Sequence, residues 1–131
     1  MEKIAVLVDT DIFIDYFNTG FFSNILENKK IIVYFSIVTE KELLSKQGLS
    51  TSEREAITYT LKMFRRISLD NMITGKYSII QNLHPNMDKE DALIAATAIV
   101  KRLPLITRNY KHYKKINELI LINAAGKNLY R

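Results

Sequence analysis

Five apolar residues in a row, Ile4-Ala5-Val6-Leu7-Val8, run straight into Asp9-Thr10-Asp11. A β-branched run without alternation is a strand covered on both faces, as in a parallel sheet flanked by helices. The apolar pattern resumes at once as Ile12, Phe13, Tyr16 and Phe17, with the spacing of a helix face. A carboxylate between the two stands at the carboxyl end of a central strand, where open α/β sheets place their ligands. Thr10 or Asp11 is enough to cap the helix, which leaves Asp9 as the candidate functional acid.

Further along, Phe21 to Leu26 reads as a short helix and Ile31 to Phe35 as a second strand. Thr39 to Leu44 continues as a helix. A helix beginning at Ser50, Thr51 or Ser52 buries Ala56, Ile57, Thr60, Leu61 and Phe64 and turns Lys62, Arg65 and Arg66 to solvent. Ile67 to Leu69 is a short strand. Asn71 to Leu83 fits a helix in spite of Gly75, which costs roughly 1 kcal/mol relative to alanine. Asp88 to Leu103 is the strongest helix, apolar on every face from Ala92 to Val100 and so covered almost all round. Leu103 to Thr107 is a strand, Lys111 to Asn117 a short basic helix and Leu119 to Ile122 a last strand, with a fraying tail from Gly126 to Arg131. Strands separated by helices predict one α/β domain over 1–131, a three-layer fold with a mostly parallel central sheet.

The absence of cysteine removes disulfides and thiolate metal sites and suits a cytoplasmic protein. No apolar run approaches membrane-spanning length, and Met1-Glu2-Lys3 ahead of five apolar residues is too short for a signal peptide. Net charge is +5. From Lys101 onward there are eight basic residues and one acid, Glu118. A basic third on a slightly acidic remainder is what a polyanion substrate uses.

Several polar positions follow or open apolar elements whose ends face one crevice: Asp9, Glu40 or Glu42, Asp88 or Asp91, and Asn109. Carboxylates drawn together repel, and a hard divalent cation such as Mg²⁺ or Mn²⁺ resolves the repulsion with an all-oxygen ligand set. Plainer roles compete. Thr39-x-x-Glu42 is a capping box, Asp88-x-x-Asp91 can cap and face a helix dipole, and Asn109 can cap the basic segment after it. The tyrosines 59, 77, 110, 113 and 130 are core aromatics or base-stacking groups. Ser36 and Ser78 lack the glycine-flanked turn of a hydrolase nucleophile, and there is no glycine-rich phosphate loop.

Four blocks in order resemble the PIN-domain ribonucleases, and among them the VapC-like toxins of type II toxin–antitoxin pairs. They are Val8-Asp9-Thr10 with Ile12-Phe13-Ile14-Asp15, then Ser36 to Leu43, then Asp91 to Ala98, then Ile106 to Tyr113. The resemblance implies a three-layer α/β/α sandwich and a metal-dependent endoribonuclease. It also implies Asp9, Glu42 and Asp91 as Mg²⁺ or Mn²⁺ ligands, with Asn109 beside them. Thr10, Thr107, Arg108 and Lys111 then become candidates for substrate binding and for holding the geometry around the ion. An RNA substrate, a homodimer with Phe17, Phe21 and Phe22 as an apolar patch, and a cognate antitoxin follow as expected partners. Asp11 stands where the family commonly has Ser or Asn, and Asn109 supplies no charge for a second metal. An RNA-maturation nuclease without an antitoxin, or a non-catalytic RNA-binding or protein-interaction domain whose acids are only caps, would share much of this pattern.

Overall fold

The computed structural model describes residues 2–124. Strands β1 (Ile4–Val8), β2 (Ile31–Ser36), β3 (Arg65–Ile67), β4 (Leu105–Thr107) and β5 (Leu121–Asn123) form one sheet in the order β3-β2-β1-β4-β5. Each adjacent pair is parallel, so this sheet is wholly rather than mostly parallel. The chain winds outward from β1 through β2 to β3, then crosses back to lay β4 on the other side of β1. Order reverses between β1 and β4, and that reversal opens a crevice at the carboxyl ends of the strands.

Among the described residues seven helices cover the sheet: α1 (Thr10–Thr19), α2 (Ser23–Leu26), α3 (Ile37–Leu44), α4 (Thr51–Leu61), α5 (Asn71–Leu83), α6 (Lys89–Lys101) and α7 (Tyr110–Tyr113). Successive side chains of a strand point to opposite faces. Val6 and Val8 accordingly join one core with Ile12, Phe13, Leu43 and Leu61, while Leu7 joins another with Ile73, Ile80, Ala95 and Leu105. These two cores make the fold a three-layer α/β/α sandwich. They also explain why β1 is apolar at every position. α6 is buried at Ala92 and from Ile94 to Ala98 and packs against α5.

Some boundaries differ from the sequence reading. Ser36, not Thr39, caps α3 by accepting a hydrogen bond from the Val38 N–H at 3.0 Å. The Thr39–Glu42 capping box is therefore not formed, and Glu42 is released from the helix end. Arg65 and Arg66 belong to β3 instead of the solvent face of α4, because the strand begins two residues earlier than expected. α7 is one turn long, ending at Tyr113 rather than Asn117. Phe22 is buried in the core, so of the three phenylalanines offered as an association patch Phe21 alone is exposed and Phe17 packs partly against the core. The tail from Gly126, including Lys127, Tyr130 and Arg131, lies outside the described residues.

Gly75 sits in α5, where a Cβ would meet nothing within 4 Å. Its penalty is conformational, without any packing benefit to offset it. Gly75→Ala is expected to stabilise the protein by about 0.5–1 kcal/mol, read from the urea midpoint.

Candidate metal centre

The crevice is built from the ends of β1 and β4, the starts of α1 and α6 and the body of α3, which carries Glu42. Asp9 ends β1 and is itself the N-cap of α1, so capping does not fall to Thr10 or Asp11. It is 3 % exposed. Its Oδ1 accepts the Thr10 N–H at 2.8 Å and its Oδ2 accepts the Thr107 hydroxyl from β4 at 2.8 Å. Burial, with the negative field of Asp91 adding to it, pushes the Asp9 carboxyl above its ordinary range; the two hydrogen bonds pull the other way without overcoming it.

Glu42 reaches the same region from α3. The Thr10 hydroxyl donates to Glu42 Oε1 at 2.8 Å and lies 2.8 Å from the Thr39 hydroxyl. Thr10 has one proton to give, so Thr39 donates to Thr10 and Thr10 to Glu42. Burial raises the Glu42 carboxyl, and Asp9, Glu90 and Asp91 raise it further. Asp91, in the first turn of α6, is held from the other side. Tyr113 donates its hydroxyl to Asp91 Oδ1 at 3.2 Å, and His112 Nδ1 stands 3.1 Å from Asp91 Oδ2. A carboxylate only accepts, so His112 Nδ1 carries a proton.

Asp11 joins the group. Its Oδ2 accepts the Arg108 N–H at 3.0 Å, and its buried Oδ1 has no hydrogen-bond partner among the described residues. Burial first, and Asp9 second, push this carboxyl up to about 7.

The negative field of Asp91 thus reaches both Asp9 and Glu42, and Thr10 touches both of those carboxylates. Yet among the described residues no three His, Cys, Asp or Glu side chains close around a single ion position. Each acid is hydrogen-bonded to a neighbour: Asp9 to Thr107, Glu42 to Thr10, and Asp91 to Tyr113 and His112. The donor set is nonetheless chemically suited to a hard cation. It is all oxygen, its acids are destabilised by burial and mutual repulsion, and one buried carboxylate oxygen lacks any donor.

Glu40 pairs with Arg66 at 3.2 Å on the outer side of β3, away from this group. Asn109 is exposed at the N-cap of α7, and it is its main-chain N–H that is engaged, with the Thr107 hydroxyl at 2.9 Å. Thr10 and Thr107 are buried and committed to carboxylates, so both orient acids rather than meet substrate. The Arg108 side chain pairs with Asp15. Lys111 is exposed on α7 and lines a cleft beside Asp91.

Tyr113 is the residue that the sequence reading left among the generic aromatics. It is fully buried, and burial together with Asp9 and Asp91 drives its hydroxyl far above the usual tyrosine range, so it acts as a donor only. The signal available was its position two elements away from the acids, which local spacing does not reveal. Tyr113→Phe keeps the packing and removes that donor from Asp91. The metal-free protein is expected to lose about 1–2 kcal/mol in denaturant melts.

A wholly parallel three-layer sheet with carboxylates gathered at the switch point defines the class. The PIN domain profile matches residues 6–118, and the chain belongs to the PIN-domain family. It is similar to Ribonuclease VapC1 of Methanocaldococcus jannaschii, with 33% identity over 122 residues covering 89% of this chain and 85% of that protein. Among solved structures, VapBC-1 from nontypeable Haemophilus influenzae matches with a TM-score of 0.79 at 18% identity, covering 94% of this chain and 100% of that one. A toxin–antitoxin complex from Klebsiella pneumoniae matches with a TM-score of 0.75 at 24% identity, covering 90% and 96%. These two support the fold.

Proposed function

We propose that this chain is a Mg²⁺- or Mn²⁺-dependent endoribonuclease that hydrolyses RNA phosphodiester bonds and serves as the toxin of a toxin–antitoxin pair. One observation carries the catalytic part: Asp9 and Glu42, far apart in sequence, meet on Thr10, whose N–H binds the one and whose hydroxyl binds the other, within the negative field of Asp91. The likeness to a protein named as a ribonuclease supports the substrate class.

In this reading Asp9 and Asp91 would hold the ion, with Glu42 as a third ligand or as an acceptor for water beside it. A divalent cation bound there supplies polarisation of the phosphoryl oxygen and a water acidic enough to attack near neutral pH. The rest is done by the chain. Thr107 and the Thr10 N–H fix the Asp9 carboxylate, the Thr39–Thr10 relay fixes Glu42, and Tyr113 with His112 fixes Asp91. Asn109 orients groups at the rim, while Lys111 and the basic surface around Arg108 draw the phosphate backbone towards an acidic pocket.

For the partner, an apolar groove lined by Ile14, Phe17, Leu43, Leu49 and Ile57 starts at Glu42. An antitoxin segment with apolar anchors would fill it and cover the site. Two copies of the chain are proposed to associate as a homodimer.

Purified protein with 5′-labelled RNA tests the activity. Cleavage is expected in millimolar Mg²⁺ or Mn²⁺ and none in EDTA, and the same ions should raise the melting temperature. An ion at 100 times its dissociation constant adds about 2.7 kcal/mol. Metal-independent cleavage, or none in any condition with no thermal shift, overturns the nuclease assignment. Suppression of cleavage by the product of an adjacent short reading frame tests the toxin assignment.

A further inference from the structure

Beside Asp91 lies a cleft of about 490 Å³ between two walls, the α5–α6 turn and α7 with the residues after it. That is within the roughly 300–1,000 Å³ of small-molecule sites. The first wall is fixed by its own hydrogen bonds. The Met87 N–H donates to the His84 carbonyl at 3.0 Å, and Gln81 Nε2 donates to the Met87 carbonyl at 3.2 Å. The second wall is fixed by the Lys114 N–H to the Tyr110 carbonyl at 3.0 Å and the Ile116 N–H to the Tyr113 carbonyl at 3.0 Å. The cleft is therefore preformed, and an occupant pays little to order it.

Its lining is mixed in a way that suits one kind of occupant. Met87 and Ile116 give an apolar floor, Lys111 and Lys115 two cations on the α7 wall, Asp88 and Asp91 two acids at the start of α6, and Asn86 and His84 polar groups able to read an edge or stack. Among the described residues Lys111, Lys115 and the Asn86 amide have no ion pair or side-chain hydrogen bond. Lys76, Lys101 and Arg66, by contrast, are each bound to a carboxylate. His112 lines the same cleft while its Nδ1 is tied to Asp91, so the cleft adjoins the candidate metal centre directly.

We infer that this cleft seats the nucleotide next to the scissile phosphate, its base over Met87 and Ile116 against Asn86 and His84, and its phosphate on Lys111 and Lys115. It is then the place where the enzyme chooses its RNA sequence. The inference rests on the ribonuclease reading for the identity of the strand, but its binding arm does not need catalysis.

The binding arm uses the full-length protein in EDTA and a fluorescent single-stranded RNA decamer, with anisotropy measured over a salt series. Lys111→Ala with Lys115→Ala is expected to shrink the slope of log K against log salt by about 0.7, the contribution of the one single-strand phosphate that the two lysines hold. Lys29→Ala with Lys30→Ala, at the start of β2 on the opposite edge, is expected to leave the slope as it is. The second arm sequences cleavage products of a randomised RNA. His84→Ala with Asn86→Ala should flatten a preference at one position beside the cut by about 5-fold or more, while the metal-induced melting shift stays that of the wild type. Equal slope losses for both lysine pairs would mean diffuse charge attraction and overturn the subsite. So would an unchanged preference in a protein that cleaves. A wild type that binds RNA through Lys111 and Lys115 but never cleaves it would keep the subsite and remove the nuclease reading instead.

Discussion

Asp9→Asn is expected to lower metal-dependent RNA cleavage by about 10³-fold or more, while raising the melting temperature of the metal-free protein. The two effects have one origin. Asp9 is buried, and burial penalises its charged form. Asparagine is the same size and removes that charge. Its Oδ1 still accepts the Thr10 N–H. Where Oδ2 stood, Nδ2 meets the Thr107 hydroxyl, which rotates to accept instead of donate. The cap of α1 and the tie between β1 and β4 survive. What is lost is an anionic oxygen for a hard cation, and with it the thermal shift produced by Mg²⁺ or Mn²⁺. Cleavage by rapid quench and melting by calorimetry, each with metal and with EDTA, separate the outcomes. A variant that melts lower without metal has lost structure, and one that still cleaves has its metal held elsewhere. An opposite pair, higher stability and no activity, is the signature of an acid kept for function at the expense of the fold.

How far this was legible in the sequence depends on the kind of constraint. β1 was readable because both faces are buried, which removes alternation and leaves an uninterrupted apolar run. α6 was readable for the same reason, and so was the end of β1 at Asp9, whereas the use of Asp9 as the N-cap of α1 was not, since Thr10 and Asp11 cap as well by type. The parallel order of the sheet followed from helices between strands. The end of α4 was not readable. Arg65 and Arg66 continue a helical charge pattern, and pairing with Tyr34 and Phe35 is what draws them into β3. Nor was the release of Glu42 from its capping box, since Ser36 and Thr39 are equally good caps by type and the backbone alone chooses between them. The Thr39–Thr10–Glu42 relay and the Tyr113 hydroxyl between acids are tertiary facts. They join residues at least 22 positions apart in part-buried contacts, and no local period encodes them.

The metal-free protein is expected to become less stable as pH rises from about 4 to 7.5, and divalent cation should abolish most of that loss. The sign follows from the carboxyls. Asp11 has an ordinary value of 3.8 and is pushed up to about 7 in the fold, with Asp9 and Glu42 also raised. Between those values the folded chain binds more protons than the unfolded one, so stability falls with each increment of pH through the window. Below about 4 both states are protonated and the effect is absent; above 7 it is complete. At about 1.4 kcal/mol for each pH unit, Asp11 alone sets an upper limit of roughly 4 kcal/mol, reduced by the part of the side chain that water still reaches. Asp11→Asn should flatten the profile and stabilise the protein at pH 7.5, since the amide oxygen still accepts the Arg108 N–H. A cation in the group acts as the missing positive charge. In saturating Mg²⁺ the wild-type profile should therefore approach that of Asp11→Asn without metal. Urea midpoints at pH 4.5, 6 and 7.5 decide the matter. A profile that rises with pH in EDTA would mean that the carboxyls are stabilised by their hydroxyl and imidazole neighbours beyond the cost of burial, leaving no electrostatic reason for an ion to bind.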